Sequence, residues 1–146
     1  MKELQYDLEC NCEVPRFIIM RYFADPVKLV ESMKAIKSVK QLDDNSWELE
    51  AKWLFYKARL TLRRILKYDE VIYFIEKQDG KIKGSSYIRF IILPNRILKK
   101  YVIKSLFVYE GSLGTLVEFL AEGYYRRLEK EFEKEINNLV RQAVSS

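Results

Sequence analysis

From about residue 45 the chain alternates apolar and polar side chains through consecutive strand-length segments. It then reaches Gly111-Ser112-Leu113-Gly114 and holds one uninterrupted helical stripe to the C-terminus. That order constrains the fold more than any other feature. Strands joined by short turns make an antiparallel sheet. A curved antiparallel sheet wrapped around one long helix encloses a cavity. The sequence therefore describes a container and leaves its contents open.

Ahead of the sheet, Leu4, Tyr6, Leu8, Cys10 and Cys12 alternate with polar residues as a half-buried strand that Pro15 ends. Arg16–Phe23 carries apolar residues on several faces, which predicts a short buried helix. Asp25-Pro26 supplies an N-cap and a first-turn proline for a second helix over Val27–Met33. Ile36–Leu42 is the next strand, and Asp43-Asp44-Asn45-Ser46 is its turn. Trp47, Leu49, Ala51, Trp53 and Phe55 then share one face, opposite Glu48, Glu50 and Lys52. Ala58, Leu60 and Leu62 oppose Arg59, Thr61 and Arg63.

Val71–Glu76 is a strand whose two faces are equally apolar, so alternation does not assign them. Gln78-Asp79-Gly80-Lys81 holds a hairpin turn. Ile82, Ser86, Ile88, Phe90 and Ile92 share a face of the following strand, which Pro94-Asn95 ends. Tyr101, Ile103, Ser105, Phe107 and Tyr109 form the last inward row. Ser112 is the expected N-cap of the final helix, whose stripe runs through Leu113, Leu116, Leu120, Tyr124, Leu128, Phe132 and Ile136. Gly123 marks a kink or a close approach to the sheet.

Composition narrows the chemistry. The 146 residues fit one domain spanning 1–146, and no apolar run is long enough to cross a bilayer. The N-terminus has acidic residues where a signal peptide would be apolar, so the expectation is a cytoplasmic protein. Abundant charge with sparse Asn and Gln is the composition of a heat-adapted, thermophilic chain. There is no histidine, which excludes Ser-His-Asp and Cys-His catalysis and the commonest metal ligand. Cys10 and Cys12, the two cysteines, would lie on one strand face about 7 Å apart, too far for an unstrained disulfide. Neither a metal nor a cofactor is expected.

The order strand, two short helices, six strands and a long C-terminal helix resembles the START-like helix-grip superfamily of lipid-transfer domains, polyketide cyclases and pathogenesis-related proteins. Gly111-Ser112-Leu113-Gly114 is similar to the glycine-leucine-glycine helix entry of its bacterial and archaeal members. The resemblance implies an α+β fold, a curved antiparallel sheet of about seven strands gripping the last helix. It also implies an apolar cavity that receives a lipid, fatty acid or polyketide-like molecule without chemistry. The alternative is a cyclase-type or aromatase-type enzyme using the same cavity.

On this reading Trp53, Leu60, Leu62, Phe74, Ile88, Phe90 and Phe107 form the apolar wall from the sheet, and Leu116 and Leu120 complete it from the helix. Ser86, Ser105 and Tyr124 are its polar interruptions, facing one another. Arg64 continues the inward row and suits a carboxylate or phosphate head group held bidentately, unless a bulge at Arg63-Arg64 turns it to solvent. Inward rows contain no Asp or Glu pair for acid/base catalysis.

Net charge is +5. Lys57, Arg59, Arg63 and Lys67 share an outward row, and Arg96, Lys99, Lys100 and Lys104 crowd the last strand. Such a basic face meets nucleic acid or an anionic membrane. Yet no nucleic-acid motif accompanies it, so a nucleic-acid partner is disfavoured. Tyr87, Ile91, Val102, Leu106 and Val108 make an outward apolar patch, which predicts a homodimer through that face.

Overall fold

The computed structural model describes residues 2–11, 13–31, 33, 35–53, 56–79, 85–109 and 112–145. Side chains at 2, 53, 56, 77–79, 85, 112–123 and 143–145 are outside that description. The element order is β1 (Lys2–Asn11), α1 (Arg16–Ala24), α2 (Pro26–Val30), β2 (Ile36–Asp43), β3 (Ser46–Trp53), β4 (Tyr56–Leu66), β5 (Glu70–Asp79), β6 (Ser85–Asn95), β7 (Lys100–Tyr109) and α3 (Ser112–Ser145).

All strand pairs are antiparallel, in the order β1-β7-β6-β5-β4-β3-β2. β2 to β7 form a meander, and β1 returns to flank β7. The sheet is curved and not closed, with β1 and β2 at its edges. The fold is the α+β helix-grip arrangement expected from the sequence. The α3 helix has 34 residues, about 51 Å of rise.

Local chemistry explains the early helices. The Asp25 carboxylate accepts a hydrogen bond from the Val27 N–H at 3.0 Å, and Pro26 occupies the first turn of α2. In β5 the ambiguity is resolved. Val71 and Tyr73 point inward into the core, while Ile72 and Phe74 point outward. The deciding contact is long-range: Tyr73 donates its hydroxyl to the Phe23 carbonyl of α1 at 2.6 Å. The register shift between β4 and β5 falls at Arg59/Leu60, with the extra residue on β5, so Arg64 keeps its inward register.

Both short helices end beneath the sheet, and their orphan carbonyls are met by long side chains. Tyr73 takes the Phe23 carbonyl, Arg64 donates through Nη1 to the Ala24 carbonyl, and the Tyr124 hydroxyl of α3 donates to the Leu29 carbonyl at 3.0 Å. Held there, α1 places the fully buried Phe23 ring 4.7 Å from Phe90 and 5.3 Å from Phe132. Leu128, Phe132 and Ile136 are one α3 stripe, spaced to face the same neighbours. Lys28 of α2 pairs with Glu135 of α3 at 3.3 Å on the rim.

The outer sheet face is partly tied by charge. Arg89 donates to Glu70 through both Nε and Nη2, the second bond at 3.0 Å. That guanidinium holds the buried Glu70 carboxyl below its ordinary range.

Two outcomes follow from this packing. Phe23→Ala removes a fully buried ring packed between the sheet and α3, and should cost about 3–5 kcal/mol in chemical denaturation. A loss below about 1 kcal/mol would mean that α1 is not central to the core. The buried phenols set the alkaline limit. Burial, the main cause in each, raises Tyr22, Tyr73, Tyr124 and Tyr125 above the ordinary value of 10.0. Their contribution is therefore complete below pH 10 and is lost as pH rises above it toward the folded-state values. Of the ten tyrosines, the buried ones should ionise only together with loss of near-ultraviolet circular dichroism. Reversible ionisation of all ten near pH 10, with the fold retained, would contradict this.

Candidate functional site

The alternation of β4, β6 and β7 delivers most of the expected wall to one surface. Leu62, Ser86, Phe90, Ser105 and Phe107 are buried on the inner face, and Leu60 and Ile88 are half-buried there. Trp53 lies on β3, and Leu116 and Leu120 on α3, but their side chains fall outside those described. The Gly111 entry, Phe55 and the Gly80 turn also lie outside the described residues.

Phe74 is not part of this surface. It faces out, 5.9 Å from the Tyr87 ring and beneath the Arg63 guanidinium at 5.2 Å. Tyr73 and Ile75 take its place inside. Both sets of β5 residues are apolar, so period alone carried no signal.

Packing along the inner face is uneven. Beneath α1, Tyr73 and Phe90 are almost wholly excluded from solvent, as are Leu8, Ile92 and Ile103 on the same face. Elsewhere on the inner face, Leu60 of β4, Ile75 of β5 and Ile88 of β6 are only half-buried. Register makes these a continuous strip: Ile75 stands opposite Leu62 on one side and Ser86 on the other, and Ile88 stands opposite Tyr73. The Ser86 residue is 6% exposed, and its Oγ is buried with no hydrogen-bond partner among the described residues. A buried hydroxyl left unpaired is costly, so it marks a place where a polar group of something else fits.

The other two polar interruptions do not join Ser86. Ser105 Oγ meets the hydroxyl of Tyr125, not Tyr124, at 3.0 Å. Tyr125 also stacks on Tyr6 with ring centroids 4.9 Å apart and planes 7° apart. The Tyr6 hydroxyl donates to Glu129 at 2.6 Å, and that bond, more than burial, raises its pKa. Tyr124 turns instead to α2. Adjacent tyrosines both fall on the wide buried side of α3, and the sequence does not say which meets β7.

Arg64 sits at the end of the inward row, where its fork is already occupied. Besides the Ala24 carbonyl, it donates to the Asp44 carbonyl at 2.9 Å and to Asn45 Oδ1 at 3.2 Å, with the Trp47 ring 4.9 Å from its guanidinium carbon. It ties α1 to the β2–β3 turn. The expected role as an anion anchor meets a guanidinium committed to protein carbonyls.

A separate cleft of about 310 Å³ lies between the end of β1, the start of β7 and the second half of α3. Glu9, Lys100, Glu129 and Glu133 rim it, with Val14, Phe132 and Ile136 at its floor, and it includes none of the expected wall residues. Lys100 is paired there with Glu9 at 3.1 Å. Among the described residues no group of three metal-ligating side chains occurs, and no helix is long and apolar enough to cross a membrane.

On the outside, Lys57, Arg59, Arg63 and Lys67 are exposed as expected. The outward row Tyr87, Ile91, Val102, Leu106 and Val108 is half-buried instead of open. Among the described residues the largest apolar exposure lies elsewhere, at the turns between strands.

Comparison with solved structures places this architecture. The Zhui aromatase/cyclase from Streptomyces sp. R1128 superposes with a TM-score of 0.69 at 15% identity, covering 97% of each chain. A START superfamily protein from Mycobacterium smegmatis gives 0.63 at 15% identity, over 94% of this chain and 98% of that one. Ara h 8.0201 gives 0.60 at 12% identity, over 91% and 99%. These likenesses are of fold. No curated protein matches the chain in sequence. A family model matches residues 1–143. That match, over nearly the whole chain, shows that the chain belongs to a prokaryotic family, and its fold is the START-like helix-grip fold.

Proposed function

We propose that the chain binds a hydrophobic small molecule, a lipid, fatty acid or polyketide-like compound, on the inner face of its sheet, without catalysis. The observation that carries this is the unpartnered, buried Ser86 hydroxyl set against the half-buried strip of Leu60, Ile75 and Ile88. Apolar walls with a few placed polar groups are how small ligands are held. Leu62, Phe90, Ser105 and Phe107 form the rest of the sheet wall, with Trp53 and the helix residues Leu116 and Leu120 proposed alongside. Arg64 serves this site by fixing its closed end.

Binding is favoured over cyclase chemistry by the state of the inner tyrosines. Burial keeps Tyr73, Tyr124 and Tyr125 neutral, and each hydroxyl is committed to a carbonyl or to Ser105. A general base needs a pKa moved toward neutrality, and these move away from it. The protein works as one domain in the cytoplasm.

Solvent extraction of the purified protein followed by mass spectrometry should yield a stoichiometric apolar compound. In a fluorescent fatty-acid titration, Ser86→Ala should weaken binding by about tenfold, the worth of one hydrogen bond. Ile88→Trp, which fills the strip, should weaken it further. An empty extract with no affinity for any fatty acid would sink the proposal.

The outer face enters the same reading as a homodimer surface through Tyr87, Ile91, Val102, Leu106 and Val108. Sedimentation at micromolar concentration should then report twice the chain mass, and a monomer mass would remove the dimer.

A further inference from the structure

We infer that the sheet end bearing the β4–β5 and β6–β7 turns docks on an anionic lipid bilayer. Antiparallel order puts these two turns side by side, and the Ile92 N–H donates to the Asp69 carbonyl across them at 2.8 Å. Their tips are apolar to an unusual degree. Ile97 is 93% exposed and Tyr68 83%, with Leu66 and Leu98 also exposed. Scattered apolar surface is ordinary, but a cluster of large side chains on adjacent tips marks an interaction site.

The tips are built to present these side chains. Asn95 Oδ1 accepts the Leu98 N–H at 3.1 Å, and Lys99 follows with φ 53°, a left-handed conformation that a non-glycine residue adopts at a cost. This turn holds Ile97 and Leu98 outward. At the neighbouring tip, the Arg16 guanidinium lies 4.3 Å from the centre of the Tyr68 ring and ties the start of α1 to the β4–β5 turn. Phe17, next in α1, is exposed as well and carries Arg21 over its ring at 5.7 Å.

Charge selects the occupant. Over Lys67–Asp69 and Arg96–Lys99 the exposed cations are Lys67, Arg96 and Lys99, against the single anion Asp69. Glu70, next along, is neutralised by Arg89. Asp43 and Asp44 belong to the following turn, where the Asp43 carboxylate accepts the Asn45 N–H at 2.8 Å. Apolar apices rimmed by lysine and arginine match an anionic membrane surface, where the apices enter the headgroup boundary and the cations meet phosphate. A protein partner of the same chemistry would need an acidic rim around an apolar hollow; among the described residues the cleft rimmed by Glu9, Glu129 and Glu133 is already crossed by Lys100. The inference rests on the turns alone and is independent of what the inner face holds.

The test is co-sedimentation of the full chain with vesicles of phosphatidylcholine containing phosphatidylglycerol, against phosphatidylcholine alone. Binding should require the anionic lipid and weaken as salt is raised. Ile97→Ser with Leu98→Ser should reduce partitioning at least tenfold with circular dichroism and fatty-acid binding unchanged, since neither residue is in the core. Lys67→Ser with Arg96→Ser should do the same by a separate route. Absence of wild-type binding, or binding that both double variants retain, overturns the inference. So does a sedimentation mass that falls in the Ile97/Leu98 variant, which would make a second copy the occupant.

Discussion

The structure turns on how two short helices finish inside it. The chain must leave β1, cross beneath the sheet as α1 and α2, and return to the edge as β2. Helix ends expose carbonyls that have no partner within the helix, and each one buried unpaired costs about 1–3 kcal/mol. Here three long side chains from three other elements reach them: Tyr73 from β5, Arg64 from β4 and Tyr124 from α3. These bonds fix where α1 lies. Once α1 is fixed, Phe23 has one place to go, between Phe90 and Phe132, and α3 is registered against the sheet through the same ring.

The same arrangement divides the inner face. Where α1 and α3 pack on it, side chains from four strands, β1, β5, β6 and β7, are fully buried. Beyond that contact the rows of β4, β5 and β6 continue with equally large residues, but Leu60, Ile75 and Ile88 are left half-covered. The polar residues sort accordingly. Ser105 is satisfied by Tyr125, whose ring is held by Tyr6, so that hydroxyl belongs to the scaffold. Ser86 sits beside the open strip and has no such partner. A closed floor with an unpaired serine hydroxyl at its margin is a different object from a uniformly filled core.

Much of this was legible in the chain. Strand-length alternation predicted β1, β2, β3, β4, β6 and β7, and the inward rows of β4, β6 and β7 lie on the faces that alternation assigned. Asp25-Pro26 starts a helix because a carboxylate cap and a fixed proline φ act within one turn, with no help from distant residues. The outward set Tyr87, Ile91, Val102, Leu106 and Val108 was also placed on the right face, yet it is half-buried, because neighbouring strands and long side chains such as Arg89 shade it. The exposed apolar surface sits instead on the turn residues Tyr68, Ile97 and Leu98, which no periodicity describes.

What the sequence determined by itself is whatever depends on neighbours a few positions away: element type, most strand faces, the cap of α2 and the order that makes a helix-grip fold. Only the tertiary structure decided which face of β5 turns inward, since Val71, Tyr73 and Ile75 rival Ile72 and Phe74 until the Phe23 carbonyl comes within reach of a hydroxyl. It also decided that Tyr125 and not Tyr124 meets Ser105, and that the Arg64 fork is spent on carbonyls from Ala24 and Asp44. Those choices depend on partners 19 or more positions away. A local pattern states that a side chain faces inward, but the group it meets there is set by how distant segments cross, because a hydrogen bond is made only at one distance and direction.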